Sequence, residues 1–415
     1  MEKVAKEYGD NERKKERERC AELVNSMCTN ITQYTAMEVR AVAHGLSLIF
    51  GKDVDGKWLQ EIAAFVLKRA YIMPVYLLYP LVNTEPLSGI SKMAGTQSGL
   101  PFDQLLQACS DRVGEANSID LATIAQTAVL LKKRLGIADL MSKVANATMT
   151  QQTLGEISPT NAVLILYAFA HTGIRNEQLS QILTQIIAEM EHDDVEPHLI
   201  PLALHALARL GTKDKQVLET IANHALKVTH DMGPENISGL VCALAKLRFK
   251  HSLLLRGMAK RTKQLMPSID VRELSNIFWG FAKLKYDDSV FADDIIDRCL
   301  QYNQIDNMSF AQIFEAIRCY HAVHKSEAIK ELLQRYLTVM PQCSTQIVTQ
   351  MAWCSCSLGR NDHGIVSKSL DVLKSRKRNR VEQKYVDMLL EALKTSKLEP
   401  EEKLRHYITE LRSDS

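Results

Sequence analysis

The stretch DVRELSNIFWGFAKLK, residues 270–285, decides the fold. Its large apolar side chains fall at i, i+3, i+4, i+7 and i+10, the spacing of one helix face. They are Leu274, Ile277, Phe278, Phe281 and Leu284. Gly280 and Ala282 stand among them, where small residues let a neighbouring helix approach closely. The stretch therefore predicts an amphipathic helix whose apolar face is packed against other helices.

The same helix pattern recurs along the chain. When each copy is aligned on the small residue equivalent to Gly280, successive copies lie 36 to 40 residues apart. The aligned residues, called anchors below, are Ala128, Ala168, Ala206, Ala243, Gly280, Ala316, Cys354 and Ala392. Each copy is followed by a turn and a second amphipathic pattern. A fixed period of about 37–38 residues is typical of stacked helix pairs, so the sequence predicts an all-α solenoid.

The repeat period divides the chain into four segments. Residues 1–22 are predicted to form a charged helix or tail, and residues 23–82 an N-terminal helical region. Residues 83–117 are predicted to be an irregular loop and connecting segment, because Gly, Ser and Pro are concentrated at its start. That loop is either disordered or a functional insertion. Residues 118–415 are predicted to form the repeat solenoid, ending in capping helices.

The composition is that of a soluble globular protein, with 46% apolar and 24% charged residues and a formal net charge of only +2. No uninterrupted apolar run reaches the roughly 20 residues that span a bilayer. Nine cysteines without framework spacing are interpreted as reduced core thiols. The first twenty residues are too acidic for a mitochondrial presequence. An import signal is therefore expected to be absent or to have been removed before this chain begins.

Alignment by repeat shows a clustering of cations that the net charge hides. Lysine and arginine recur three, five and seven positions after successive anchors, and equivalent positions of a solenoid line up on one edge. In addition, no acidic residue occurs between Glu235 and Asp270. The residues predicted to contact a polyanion are Arg209, Lys213, Lys246, Arg248, Lys250, Lys260, Arg261, Lys263, Lys283 and Lys285, with Arg376, Lys377 and Arg378 of a second cluster.

The simpler interpretation of such a charge run is a solvated face, and helix C-termini favour cations through the helix dipole. This interpretation accounts for the cations at one or two of the three recurring positions after the anchors. It does not account for 34 residues without an acid in a nearly neutral chain. RNA is the expected polyanion, because phosphate contacts supply affinity that is independent of sequence.

Enzyme signatures are incomplete. The chain has no Gly-rich phosphate loop, GxSxG, HExxH or paired CxxC motif. Residues 293–297 read DDxxD, the spacing with which prenyl-diphosphate enzymes hold magnesium, but no second acidic motif faces them. A histidine pair at 321 and 324 and a CxC at 354–356 lack further ligands at suitable spacing. The sequence therefore predicts no enzyme, no cofactor and no metal.

The stretch LSNIFWGFAKL, residues 274–284, resembles the repeats of organellar RNA-binding helical-repeat proteins. These are the octotricopeptide and heptatricopeptide groups, together with the FAST-kinase and RAP-domain families. Their pattern L-x-N-x-x-W-A-x-A-K-L is matched by Leu274, Asn276, Trp279, Gly280, Ala282, Lys283 and Leu284, with Gly280 in place of an alanine. The resemblance spans residues 118–397, and no RAP domain is recognisable after it.

Within this group, the size of the chain and its sparse motifs resemble the guide-RNA-binding subunits of the kinetoplastid mitochondrial editing machinery. The resemblance implies a protein of the mitochondrial matrix that binds single-stranded or guide RNA and pairs with a related repeat protein. The cations that line up on one edge would then bind phosphates rather than recognise bases. The alternative is an armadillo-like scaffold without RNA binding, whose cations meet acidic residues of a protein partner.

Overall fold

The computed structural model describes residues 17–35, 37–39, 41, 42, 56–70, 102–130, 136–190, 196–212, 214–320, 326–358, 364–374, 387, 388, 390 and 391. These residues form helices and turns, and no β-strand occurs among them. Every helix in these ranges is too short or too polar to cross a bilayer. Contacts divide the chain into two compact units, Met1–Asp194 and Val195–Ser415.

The first unit contains the first repeats. Its helices are α1 (Gly56–Arg69), α2 (Phe102–Asp111), α3 (Ser118–Leu130), α4 (Ile137–Thr148), α5 (Gln151–Glu156), α6 (Pro159–Thr172) and α7 (Glu177–Ala188). Helix α3 packs against α4 and α6, and α6 packs against α7. Helix α2 lies inside the connecting segment 83–117, where its buried Ala108 and Cys109 give it a packed face. Residues 83–101 lie outside the described residues.

The second unit is a two-layer stack of helix pairs. The first helices of the pairs are α8 (Leu199–Leu210), α10 (Pro234–Leu247), α12 (Val271–Lys283), α14 (Asn307–Cys319) and α16 (Thr345–Ser357). The second helices are α9 (Lys215–Lys227), α11 (Ser252–Leu265), α13 (Ser289–Gln301), α15 (Ser326–Val339) and α17 (Ile365–Lys374). Each first helix packs closely on the next first helix, whereas the second helices touch one another less. The predicted all-α array of stacked helix pairs is confirmed.

The anchors lie where first helices meet. Ala128, Ala168, Ala206, Ala243, Gly280, Ala316 and Cys354 are all buried, and Ala392 lies outside the described residues. At Gly280 the approach is close: an added Cβ would lie 2.7 Å from Val241 Cγ1 and 3.1 Å from the Val241 carbonyl carbon. Glycine is therefore required there by the contact between α10 and α12. The predicted burial of Ala243 and Gly280 is confirmed.

Local sequence sets the ends and the buried face of α12. The Asp270 carboxylate accepts a hydrogen bond from the Glu273 backbone N–H at 2.7 Å, and the Asp270 N–H donates one to the Glu273 carboxylate at 3.5 Å. This capping box satisfies backbone donors that the first turn leaves open. The predicted apolar stripe is buried, and the Phe281 ring meets the Tyr286 and Phe291 rings edge-on, with centroids 5.0 and 4.8 Å apart.

Several cysteines belong to this packed interior. Burial raises the pKa of Cys109, Cys299 and Cys354 to about 12 and that of Cys242 to about 11. These thiols are protonated at neutral pH and are poor nucleophiles and metal ligands in that form. The interpretation as core residues is confirmed for Cys109, Cys299 and Cys354, whereas Cys242 is half-buried.

Candidate nucleic-acid interface

Two first helices of the second unit end in a cationic residue with a left-handed backbone. Arg248 follows α10 with a φ of 54°, and Lys285 follows α12 with a φ of 52°. The equivalent position, five residues after the anchor, holds Gly173 after α6 and Gly211 after α8, with φ of 77° and 76°. Glycine is usual there because a Cβ in this conformation crowds the following carbonyl oxygen. Two successive repeats therefore place a long cation where glycine would be unstrained.

The hydrogen bonds at these helix ends fix the backbone. After α10, the Arg248 N–H donates to the Ala245 carbonyl at 3.2 Å, and the Phe249 N–H donates to the Leu244 carbonyl at 3.0 Å. This pair of bonds is a Schellman motif, which satisfies carbonyls at the end of a helix. The same two bonds close α12 around Lys285. The two cationic side chains thus leave the stack from equivalent points, one repeat apart.

Lys250 joins the two helix ends. Its Nζ donates to the Lys285 backbone carbonyl at 2.7 Å, so the ammonium of one repeat lies at the end of the next first helix. Arg248, Lys250 and Lys285 are all exposed and form one contiguous group, called the cap cluster below. The nearest acids in sequence are Asp287 and Asp288. The Asp288 carboxylate is used to cap α13, accepting from the Phe291 N–H at 2.9 Å.

Cations in the last turn of the first helices differ in how far they are neutralised. Lys246 is exposed, and its Nζ lies 3.4 Å from His205 Nε2 of the preceding first helix. Lys283, one repeat later, forms a salt bridge with Glu315 and lies 5.8 Å from the Trp279 ring centroid. Glu315 also accepts hydrogen bonds from the Trp279 indole at 3.2 Å and from Gln350 at 3.0 Å. Of the two lysines, only Lys246 adds an unneutralised charge next to the cap cluster.

Arg261 has a different environment from the cap cluster. Its side chain is half-buried, and Nε donates to the Met232 carbonyl at 3.1 Å, just before α10 begins. Helix α10 has 14 residues, which corresponds to about 21 Å of length. The Arg261 guanidinium therefore lies at the opposite end of this helix from Arg248. The structure does not bring these two predicted contact residues together.

Arginines equivalent to Arg261 make the same kind of contact in the next two repeats. Arg298 donates to the Pro267 carbonyl at 2.9 Å, and Arg335 donates to the Tyr302 carbonyl at 3.0 Å. In each repeat, the arginine of the second helix binds the connection that leads into the first helix. This recurrent tie was missed from the sequence, although the regular 37-residue spacing of the three arginines was an available signal.

The other predicted cations of α11 are also separate from the cap cluster. Lys263 forms an ion pair with Asp294, Nζ to Oδ2 at 2.9 Å, and the hydrogen bond from this partner raises the pKa of Lys263. Asp294 belongs to the DDxxD sequence, so one carboxylate of that motif is paired with a lysine. No group of three metal-binding side chains occurs in the part of the chain that the structure describes. Lys260 is exposed on the same helix.

The remaining predicted contact residues are divided between the surface and the undescribed parts of the chain. Arg209 is exposed in the last turn of α8, at the position equivalent to Lys246 and Lys283. Lys213, Arg376, Lys377 and Arg378 lie outside the described residues, as does the histidine pair at 321 and 324. For all of these residues, contact with RNA stays a prediction.

Replacing Arg261 by leucine is expected to lower the free energy of unfolding by about 1–3 kcal/mol, because the Met232 carbonyl loses a charged donor. RNA affinity of the folded protein is expected to stay unchanged. Urea unfolding and RNA titration measure the two effects. The control is Lys260→Ala on the exposed face of α11, expected within about 0.5 kcal/mol of wild type. Loss of RNA affinity without loss of stability would contradict the structural role of Arg261.

The fold and this cationic edge define a helical-repeat protein with a candidate polyanion surface at the ends of its first helices. Residues 129–326, slightly less than half of the chain, match the model of the family described as RNA-editing substrate-binding complex 6 protein. The matched region includes Lys246 and the whole cap cluster. The resemblance to helical-repeat proteins of the kinetoplastid RNA-editing machinery is thereby confirmed.

One solved structure with a similar chain is described as a circular tandem repeat protein with novel repeat topology and enhanced subunit contact surfaces. It is 12% identical, the alignment covers 95% of this chain and 91% of that chain, and the TM-score is 0.22. Among curated proteins, none matches the chain.

Proposed function

We propose that this protein binds guide RNA in mitochondrial RNA editing, through phosphate contacts made by Lys246 and the cap cluster. The observation that carries the proposal is the continuity of these cations across two repeats, with Lys250 Nζ 2.7 Å from the Lys285 carbonyl. Lys246, Arg248 and Lys250 lie in a stretch of 34 residues without an acid. The family match supports a role in an RNA-editing complex.

The chemistry of the edge favours phosphate over base recognition. Lysine presents a compact charge on a flexible stem, which suits phosphate but gives little geometric discrimination between bases. Trp279 of α12 already has its indole N–H engaged by Glu315. Binding is therefore expected to be similar for RNAs of unrelated sequence.

The proposed contribution of this chain is binding rather than catalysis, without a cofactor. The protein would act in the mitochondrial matrix and hold small, single-stranded RNA for other components of the complex. A related repeat protein is the proposed direct partner. The predicted array is suited to this arrangement, because a repeat stack offers an extended surface for RNA and for protein at the same time.

A scaffold function is the second candidate, and one observation favours it. Leu253 and Val290 are exposed by 56% and 62% of their surface. They occupy the second position of α11 and of α13, equivalent sites one repeat apart, three residues after Lys250 and five residues after Lys285. A protein partner with acidic and apolar side chains would complement an edge of this kind. In that case the cations would serve protein assembly instead of RNA binding.

The test is equilibrium binding of the full chain to fluorescent single-stranded RNAs of unrelated sequence, with an acidic peptide as the competing ligand. Each phosphate contact contributes about 0.7 to the slope of log affinity against log salt, so four contacts predict a fall of about 50-fold between about 50 and 200 mM salt. If the chain binds no RNA at low salt, alone or with its co-purified partner, the scaffold function is correct and the proposal is wrong.

A further inference from the structure

We infer that Arg248 and Lys285 each hold an RNA phosphate, and that RNA binding keeps them at two positions where glycine would make the protein more stable. The inference rests on the proposed RNA binding and goes beyond it. It names the two backbone positions at which affinity and stability oppose each other.

Backbone strain is present at these positions without any packing requirement for a cation. Arg248 and Lys285 have φ of 54° and 52°, and the equivalent Gly173 and Gly211 adopt the same left-handed conformation. An added Cβ at either glycine would have no atom within 4 Å. A glycine and a cationic residue therefore both fit at this position of the repeat. They differ in the strain that a Cβ brings to a left-handed backbone. Packing does not explain why two successive repeats carry a cation there.

Neither cation is used inside the protein. Among the described residues, the Arg248 guanidinium and the Lys285 ammonium have no hydrogen-bond or ion-pair partner, and both side chains are exposed. The helix dipole is also an insufficient reason. Lys246 and Lys283 already place a cation in the last turn of α10 and α12, where the backbone is helical and unstrained. The additional left-handed cations are thus free to bind an external anion.

The spacing of the two positions suits a chain of phosphates. Packed helices lie about 8–10 Å apart, and the contact at Gly280 places α10 and α12 close together. Arg248 and Lys285 therefore project from the edge about one helix separation apart, with Lys250 reaching from one to the other. A single free phosphate would occupy one of these positions, whereas a polynucleotide would occupy both.

The test is the double variant Arg248→Gly/Lys285→Gly in the full chain, with a fluorescent oligouridylate as the RNA probe. The melting temperature is expected to rise by about 2–4 °C, because strain is relieved at each cap. RNA affinity is expected to fall, and the salt slope to decrease by about 1.4, the value for two lost phosphate contacts. The charge-preserving variant Arg248→Lys/Lys285→Arg is expected to bind as wild type does.

A reciprocal variant changes Gly211 of the preceding repeat, where an added Cβ would have no atom within 4 Å. Gly211→Lys is expected to lower the melting temperature and to raise RNA affinity, because it adds a third left-handed cation to the series. A double glycine variant that loses RNA affinity but is less stable than wild type would overturn the inference while leaving the proposed function intact. A double glycine variant that binds RNA like wild type would overturn the inference and would also remove Arg248 and Lys285 from the proposed contacts, leaving Lys246 and Lys250. A wild-type protein that binds no RNA, or a double variant that loses only the acidic peptide, would overturn both.

Discussion

Changing Lys246, Arg248 and Lys250 together to glutamate is expected to weaken RNA binding by about 100-fold or more at low salt, and to lower the salt slope by about 2. Three proposed phosphate contacts are lost, and three negative charges then face the RNA backbone. The loss should be the same for all RNA sequences, since phosphates carry no sequence information. Fluorescence anisotropy over a salt series measures both quantities.

The matched control reverses three cations elsewhere. Lys14, Lys15 and Arg17 belong to the charged N-terminal segment, and changing all three to glutamate alters the net charge by the same amount. This control is expected to bind RNA much more like wild type. Circular dichroism and melting temperature establish that both variants are folded. A folded Lys246/Arg248/Lys250 variant with wild-type affinity would show that the RNA surface is wrongly placed.

Replacing Gly280 by alanine is expected to lower the free energy of unfolding by about 1–3 kcal/mol through overpacking. The new methyl group would lie 2.7 Å from Val241 Cγ1 and 3.1 Å from the Val241 backbone. The side-chain methyl can rotate away, but the backbone atoms can move only if α10 and α12 separate. Urea unfolding at equilibrium measures the change.

Gly257→Ala is the matched control for this substitution. Gly257 lies inside α11, and an added Cβ would meet Leu226 Cδ1 and Thr229 Cγ2 at 3.5 Å, an ordinary contact distance. Alanine is favoured over glycine inside a helix by about 0.5–1 kcal/mol, so this variant is expected to be slightly more stable than wild type. Equal and small effects at the two glycines would contradict the close approach at Gly280.

The helix pairs and their contacts could be predicted from the sequence because the repeat reinforces a weak local signal. One amphipathic stretch around Gly280 indicates a helix, but eight copies in register also indicate which face is buried and which residue lies at the junction. The described anchors are buried where first helices pack on one another, and at Gly280 even a Cβ would meet the Val241 backbone. Their spacing therefore carries three-dimensional information, and the burial of Ala243 and Gly280 follows from it.

The sequence could not predict which cations are neutralised or bound within the protein and which face solvent, because this depends on residues far away in the sequence. Lys283 is neutralised by Glu315 of the next repeat, which a search for acids along the local stretch does not detect. Arg261 and Arg248 lie in the same acid-free stretch, yet Arg261 binds a backbone carbonyl at the other end of α10. A charge run shows that cations are abundant, and only the packing shows which of them face solvent.

The most direct measurement is photo-cross-linking of bound single-stranded RNA to the wild-type protein, followed by mass spectrometry of the cross-linked peptides. Cross-links are expected to concentrate in residues 246–250 and 283–286, at the ends of α10 and α12. Cross-links confined to α11 around Lys260, or to the N-terminal segment, would contradict the proposed surface. The absence of any cross-link at low salt, with or without the partner, would contradict RNA binding itself.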